Sequence, residues 1–227
     1  MKRRAFSPKT TSLVGDDVRS RRNAVLGFSL IELLAVLAVL GIVAALTIPS
    51  MSSVLRGSAL AAAEDELAAE LGLARQQAVA GNRDVEVRFY RYTDSAAAGT
   101  LQDRFQSFQL VAYDESGKAI PSSRIKKISP RVVLASDEKL STLLGASLKK
   151  TWGTETKPSL PTIGTNYEAY AIRFRPDGSA DLTPFPTVPW FLTLHDSAAG
   201  DGLKTPPANY ATLVIDAVNG HVSRFRP

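Results

Sequence analysis

The chain has 227 residues, no cysteine, and 27 Lys+Arg against 22 Asp+Glu, which excludes a disulfide framework, a thiolate metal site and a cysteine nucleophile. Seven of the basic and two of the acidic residues fall within residues 1–27, leaving twenty of each sign for the remainder. The high isoelectric point therefore belongs to the leader, and global basicity gives no reason to expect nucleic-acid binding by the folded part.

Residues 1–27 show no sustained apolar period and read as a basic cytoplasmic leader. From Phe28 to Ile48 run 21 residues with a single charge, Glu32. At about 1.5 Å per residue a helix of that length spans the roughly 30 Å hydrocarbon core of a bilayer. The positive-inside rule puts the amino end in the cytoplasm and everything after Pro49 across the membrane. An ordinary secretory signal has a shorter apolar core, about 7 to 15 residues, and a small-residue cleavage site. A carboxylate at membrane depth costs about 2.5 to 3.5 kcal/mol, so Glu32 reads as functional. A cut between Gly27 and Phe28 would place a new α-amino group one turn from Glu32, in the first turn of the helix, where the macrodipole favours an anion. The same carboxylate could instead meet the amino end of a neighbouring helix.

The run Gly27-Phe28-Ser29-Leu30-Ile31-Glu32, followed by aliphatic residues and Pro49, resembles the cleavage and methylation motif of type IV prepilins and type II secretion pseudopilins. That resemblance implies cleavage after Gly27 by a prepilin peptidase, N-methylation of Phe28, and use of Glu32 in subunit assembly. Its leader is longer than many prepilin leaders. An uncleaved single-pass anchor is the alternative.

Pro49 should kink the helix near the outer membrane face. Beyond it, Leu60, Ala63, Leu67, Leu71, Ala74 and Ala78 recur at spacings of three and four, an amphipathic stripe for packing on a domain. Asp65, Glu66, Glu70 and Gln77 fall mainly off that stripe, and Gly81-Asn82 is a C-terminal stop. The helix from Phe28 to Ala80 would be about 80 Å long if straight. The junction from this helix into the next strand also resembles the GspH/FimT-like minor pseudopilins.

Residues 82–227 read as one β-rich periplasmic domain. Val85, Val87 and Phe89 alternate with Glu86 and Arg88 as in a half-buried strand. Phe108, Leu110 and Ala112 continue that pattern before a turn at residues 114–117, and Arg131 to Leu134 is a short strand. Residues 136–168 form an insertion with a short helix around Leu140 to Leu148. Tyr170, Ile172 and Phe174 mark a further strand, closed by Pro176-Asp177-Gly178. Val188 to Leu194 follows a Pro-rich approach, which suggests a sheet edge. Ala211–Ala217 and His221–Phe225 flank Asn219-Gly220, a type I′ hairpin signal. The Phe-x-Pro-Asp-Gly turn with a terminal Asn-Gly hairpin again resembles the GspH/FimT-like domain. The fold class is therefore α+β and pilin-like: a long kinked helix (residues 28–49 in the membrane, 50–81 amphipathic) laid on an antiparallel sheet.

No enzyme is expected, because no nucleophile elbow, P-loop or dinucleotide fingerprint is present. No cofactor or metal is expected either. His195 and His221 stand alone and read as surface or hairpin positions. Neither the pair Asp177 and Asp181 nor the pair Asp196 and Asp201 completes a calcium loop. Arg173, Arg175, Arg224 and Arg226 fall on two strand candidates and could form a stripe for phosphates if those strands were neighbours; solvated strand faces explain them as well. Some FimT-like pilins bind DNA through a Gly-Arg-x-Arg pattern, and Gly220-His221-Val222-Ser223-Arg224 lacks its first arginine. The resulting expectation is a non-enzymatic minor pilin or pseudopilin of the bacterial inner membrane. Its partners would be the prepilin peptidase/methylase, other pilin-like subunits and the membrane; a DNA-binding minor pilin for DNA uptake is the second reading.

Overall fold

The computed structural model describes residues 28–94, 101–153, 156–161, 163–184 and 186–227, without the side chains of 45–53, 94, 101 and 102. The leader and Gly27 lie outside the described residues. The chain divides into two compact units, Met1–Thr47 and Ile48–Pro227. Helix α1 (Leu30–Gly81) begins in the first and ends in the second. Pro49 lies within α1, and its side chain is outside the description.

In the first unit, Ser29 starts the helix by accepting from the N–H groups of Glu32 and Leu33 at 3.0 and 3.1 Å. Every large apolar side chain from Phe28 to Val43 is exposed, and none is in a core. Among the described residues no helix is long and apolar enough to cross a membrane; the side chains described in this apolar run end at Ala44.

In the second unit, Leu60, Ala63, Leu67, Leu71, Ala74 and Ala78 are all buried, as their spacing predicts. Each fully buried leucine contributes about 1.5 to 3 kcal/mol, so this stripe is a principal anchor of the domain. The helix stops where expected. Asn82 takes the left-handed conformation at φ 44°, and Arg83 N–H closes back on the Ala78 carbonyl at 3.2 Å.

The strands form two sheets, where the sequence reading expected one. The first contains β1 (Val85–Asp94), β2 (Leu101–Tyr113), β3 (Ala119–Pro121), β4 (Lys126–Lys127) and β6 (Glu168–Phe174), with β1 between β2 and β6. The second runs β5 (Val132–Leu134), β7 (Trp190–Asp196), β8 (Tyr210–Ile215), β9 (Val222–Phe225). All pairings in both are antiparallel. One apolar cluster joins the α1 stripe to Val87, Phe89, Phe108 and Ile172 of the first sheet and to Leu134, Leu192 and Leu213 of the second.

Four further expectations are corrected. β1 is buried on both faces, Glu86 and Arg88 included at 2% and 3% exposure, because Lys150, Trp152, Leu160 and Tyr167 cover the face turned away from the helix. β7 is internal, paired with β5 and β8. Its prolines precede the ladder and so remove no hydrogen bond from it, and the Thr142 and Ser141 hydroxyls accept the N–H groups of Phe191 and Thr193 on its free side. The expected helix near Leu140 to Leu148 is two 3₁₀ turns, Thr142–Leu144 and Ala146–Leu148. The Asn219-Gly220 turn is not type I′. Ile215 pairs with Val222, which leaves a six-residue loop, and only Gly220 there has positive φ. Asp216 shapes the loop by accepting from Val218 N–H at 2.9 Å and the Asn219 amide at 2.7 Å.

Candidate functional site

The amino-terminal segment is built for contact with something apolar. Phe28 is 80% exposed and Leu30 77%. A helix that is apolar all round belongs in a core, a bundle or a membrane. Glu32 lies in the first turn of α1, where the unsatisfied N–H groups favour an anion. It is exposed, and no cation pairs with it among the described residues. This arrangement offers one carboxylate, at a helix start, on a surface otherwise suited to lateral packing.

The four arginines singled out from sequence do not form a stripe. β6 and β9 belong to different sheets, and each guanidinium meets a carboxylate. Arg173 contacts Glu86 at 2.8 Å and Asp84 at 3.5 Å. Arg175 pairs with Asp181, and Arg224 with Asp65 of α1. Arg226 meets Glu64 of α1 at 3.1 Å. Among the described residues no group of His, Asp or Glu is arranged to hold a metal ion. Asp177 accepts from the Ser179 hydroxyl at 2.6 Å and N–H at 2.9 Å, and these bonds hold its carboxyl below the usual range. Asp196 caps Ala198 at 2.9 Å. His221 is exposed in the β8–β9 loop, as expected. His195 is not a surface residue: it is 1% exposed, with Nδ1 3.0 Å from the Asp196 carbonyl. It sits on β7, which the edge-strand reading had left open to solvent.

Two groupings escaped the sequence reading. Arg75 of α1 gathers the two C-terminal turns, its Nε donating to the Asn219 carbonyl at 2.7 Å and the Gly178 carbonyl at 3.2 Å. A Cβ on Gly220 would meet the Gly178 carbonyl oxygen at 2.3 Å, so these turns approach too closely for any other residue at 220. The second grouping lies on the outer face of the first sheet, around Glu86. Arg88 Nε lies 2.8 Å from its carboxylate, Arg173 2.8 Å and Lys150 3.5 Å. The Tyr113 hydroxyl accepts from Arg88 at 3.0 Å and from Lys150 at 3.2 Å. Burial pushes the Glu86 carboxyl up, but the Arg88 charge, the Arg173 hydrogen bond and Lys150 outweigh it and hold the group at about 2. Trp152 closes the cluster, with Arg88 5.4 Å and Lys150 5.6 Å from its ring centre. Alternation of charge along β1 was visible in the sequence; the aromatic and lysine partners came from the part read as an insertion.

Residues 22–48 match the family described as the prokaryotic N-terminal methylation motif. Its amino-terminal segment is similar to that methylation motif. The match spans Gly27, Phe28 and Glu32, the residues on which the resemblance was drawn. One similar solved structure is the minor pseudopilin EpsH of the type 2 secretion system of Vibrio cholerae. It shares 9% identity over 74% of this chain and 97% of that one, with a TM-score of 0.40. No curated protein matches the chain.

Proposed function

We propose that this chain is a non-enzymatic minor pilin or pseudopilin subunit, cut after Gly27, N-methylated on Phe28 and built into a type II secretion or type IV pilus-like filament. The observation that carries the reading is the methylation motif at residues 22–48, within which helix α1 begins and leaves every large apolar side chain from Phe28 to Val43 exposed. Before assembly the Phe28–Pro49 segment sits in the bacterial inner membrane, amino end in the cytoplasm, and the domain from residue 82 onward is periplasmic. In the filament these helices pack laterally. Glu32 then neutralises the methylated amino group of its own or a neighbouring subunit, since an uncompensated carboxylate in that apolar layer is costly. Pro49 marks the outer end of the layer.

Mass spectrometry of the mature amino terminus tests the processing: the expected species begins at Phe28 and is heavier by one CH2 unit, a methyl group in place of a hydrogen. A chain that keeps its leader would overturn the reading in favour of a plain anchor. Replacing Glu32 by Leu should leave cleavage intact and deplete the subunit from sheared filaments or from crosslinked complexes with other pilin-like subunits. Normal incorporation of that variant would remove the role given to Glu32.

A further inference from the structure

The outer face of the first sheet holds a cavity of about 820 Å³ that the proposed assembly role does not use. That size falls in the range of pockets for small organic ligands, about 300 to 1,000 Å³. Its charge is one-sided. Arg88, Lys118, Arg124 and Lys127 line it, and no carboxylate does among its described lining residues. Lys118, Arg124 and Lys127 are exposed, whereas Arg88 is buried. The cavity therefore has a cationic exposed side and one cation at depth. The remaining wall is mainly apolar, with Val111, Ile125, Trp152, Leu160 and Ile163 beside Gln109, Thr156 and Ser159. A small hydrated anion would leave this wall wet, so the complementary ligand also has an apolar body. Tyr92 adds a directional feature. It lines the cavity, is 4% exposed, and its hydroxyl has no hydrogen-bond partner among the described residues. An unmet buried hydroxyl costs about 1 to 3 kcal/mol, a cost that a polar atom on a bound ligand would remove.

We infer that this cavity binds a small organic anion with an apolar body, its acidic group toward Lys118, Arg124 and Lys127. The shared chemistry is a carboxylate, sulfonate or phosphate on an aliphatic or aromatic frame.

The test uses the full chain held in nanodiscs, titrated calorimetrically with naphthalene-1-sulfonate, with empty nanodiscs as the blank. The cationic analogue 1-naphthylmethylammonium has nearly the same body with the opposite charge. One saturable site is expected, with the anion bound about tenfold more tightly than the cation, equivalent to about 1.4 kcal/mol. The double substitution Arg124→Glu and Lys127→Glu, at two exposed positions, should weaken the anion by about the same factor. Val111→Trp fills the cavity from its floor and should abolish binding. Because that buried change can also unfold the domain, Ala119→Trp at a partly exposed position supplies an independent block. Equal affinity for the two naphthalenes, binding that survives Ala119→Trp in a folded chain, or no saturable heat at about 1 mM ligand would each overturn the inference.

Discussion

The two faces of β1 are equally dry and follow different rules. Toward the helix, Val85, Val87 and Phe89 are fully buried in one apolar cluster with Leu67, Leu71 and Ala74. Away from it, Glu86, Arg88 and Tyr90 are also buried, at 2%, 3% and 0% exposure. On the first face the attraction is non-directional, so volume decides what fits. On the second the buried polar groups of Glu86, Arg88 and Tyr90 depend on named partners, and identity decides. Tyr90 illustrates this: its hydroxyl donates to Gln109 Oε1 at 2.9 Å, and burial pushes its ionisation above the usual tyrosine range. From Val85 to Tyr90 the strand is thus buried twice, once by the hydrophobic effect and once by a polar network.

The largest effect that would break this contrast is on the outer face. Glu86→Gln keeps the shape but removes the carboxylate that meets buried Arg88 at 2.8 Å. Breaking a buried pair in this way costs about 3 to 5 kcal/mol, to be read as a lower urea midpoint at unchanged slope. A loss below about 1 kcal/mol would mean that the cluster behaves like a surface network and the contrast fails. On the helix side, Leu67→Ala should cost about 2 to 5 kcal/mol, whereas volume-conserving Leu67→Met should cost less than about 1.5 kcal/mol. Equal losses for the two Leu67 variants would show that shape, not volume, governs that face.

Acid titration sharpens the comparison further. Glu86 is held at about 2, against an ordinary value of 4.5. A carboxyl depressed by folding contributes stability that is complete above its unfolded value and is lost as pH falls through its folded one. The shift corresponds to roughly 3 kcal/mol, withdrawn between about pH 4.5 and pH 2. Unfolding measured across that window should steepen in the native chain and flatten in Glu86→Gln. If both chains lose stability in parallel, other carboxylates are responsible.

What the sequence disclosed divides along the same line. The helix stripe, its stop at residues 81–82, and most strand positions were readable, because hydrophobic periodicity reports one apolar face directly. The amino-terminal motif was readable because its spacing is local. The outer face was not, since its partners Lys150, Trp152 and Tyr167 lie in a stretch without period, and long-range ion pairs leave no spacing to read. Two sheets in place of one escaped for a related reason. Alternation marks a strand but does not say which strand lies beside it, and the internal place of β7 depends on β5 and on hydroxyls of Ser141 and Thr142. His195 was misplaced as a consequence.

The smallest expected effect concerns the terminal arginines, where sequence suggested phosphate contacts and the fold supplies acids of α1 instead. Arg224 meets Asp65 with side chains 48% and 67% exposed, while Arg226 meets Glu64 with exposures of 41% and 10%. Exposed pairs are screened by salt and pay side-chain entropy, so a double-mutant cycle between Arg224→Ala and Asp65→Ala should return a coupling of only about 0.2 to 1 kcal/mol. The Arg226–Glu64 cycle should return the larger value of the two, because Glu64 is poorly hydrated and depends more on its partner. Raising the salt concentration should erode the first coupling more than the second. Identical couplings would mean that burial of Glu64 does not matter. A larger coupling at Arg224 would reverse the reading altogether, making its pairing a structural clasp between β9 and the helix.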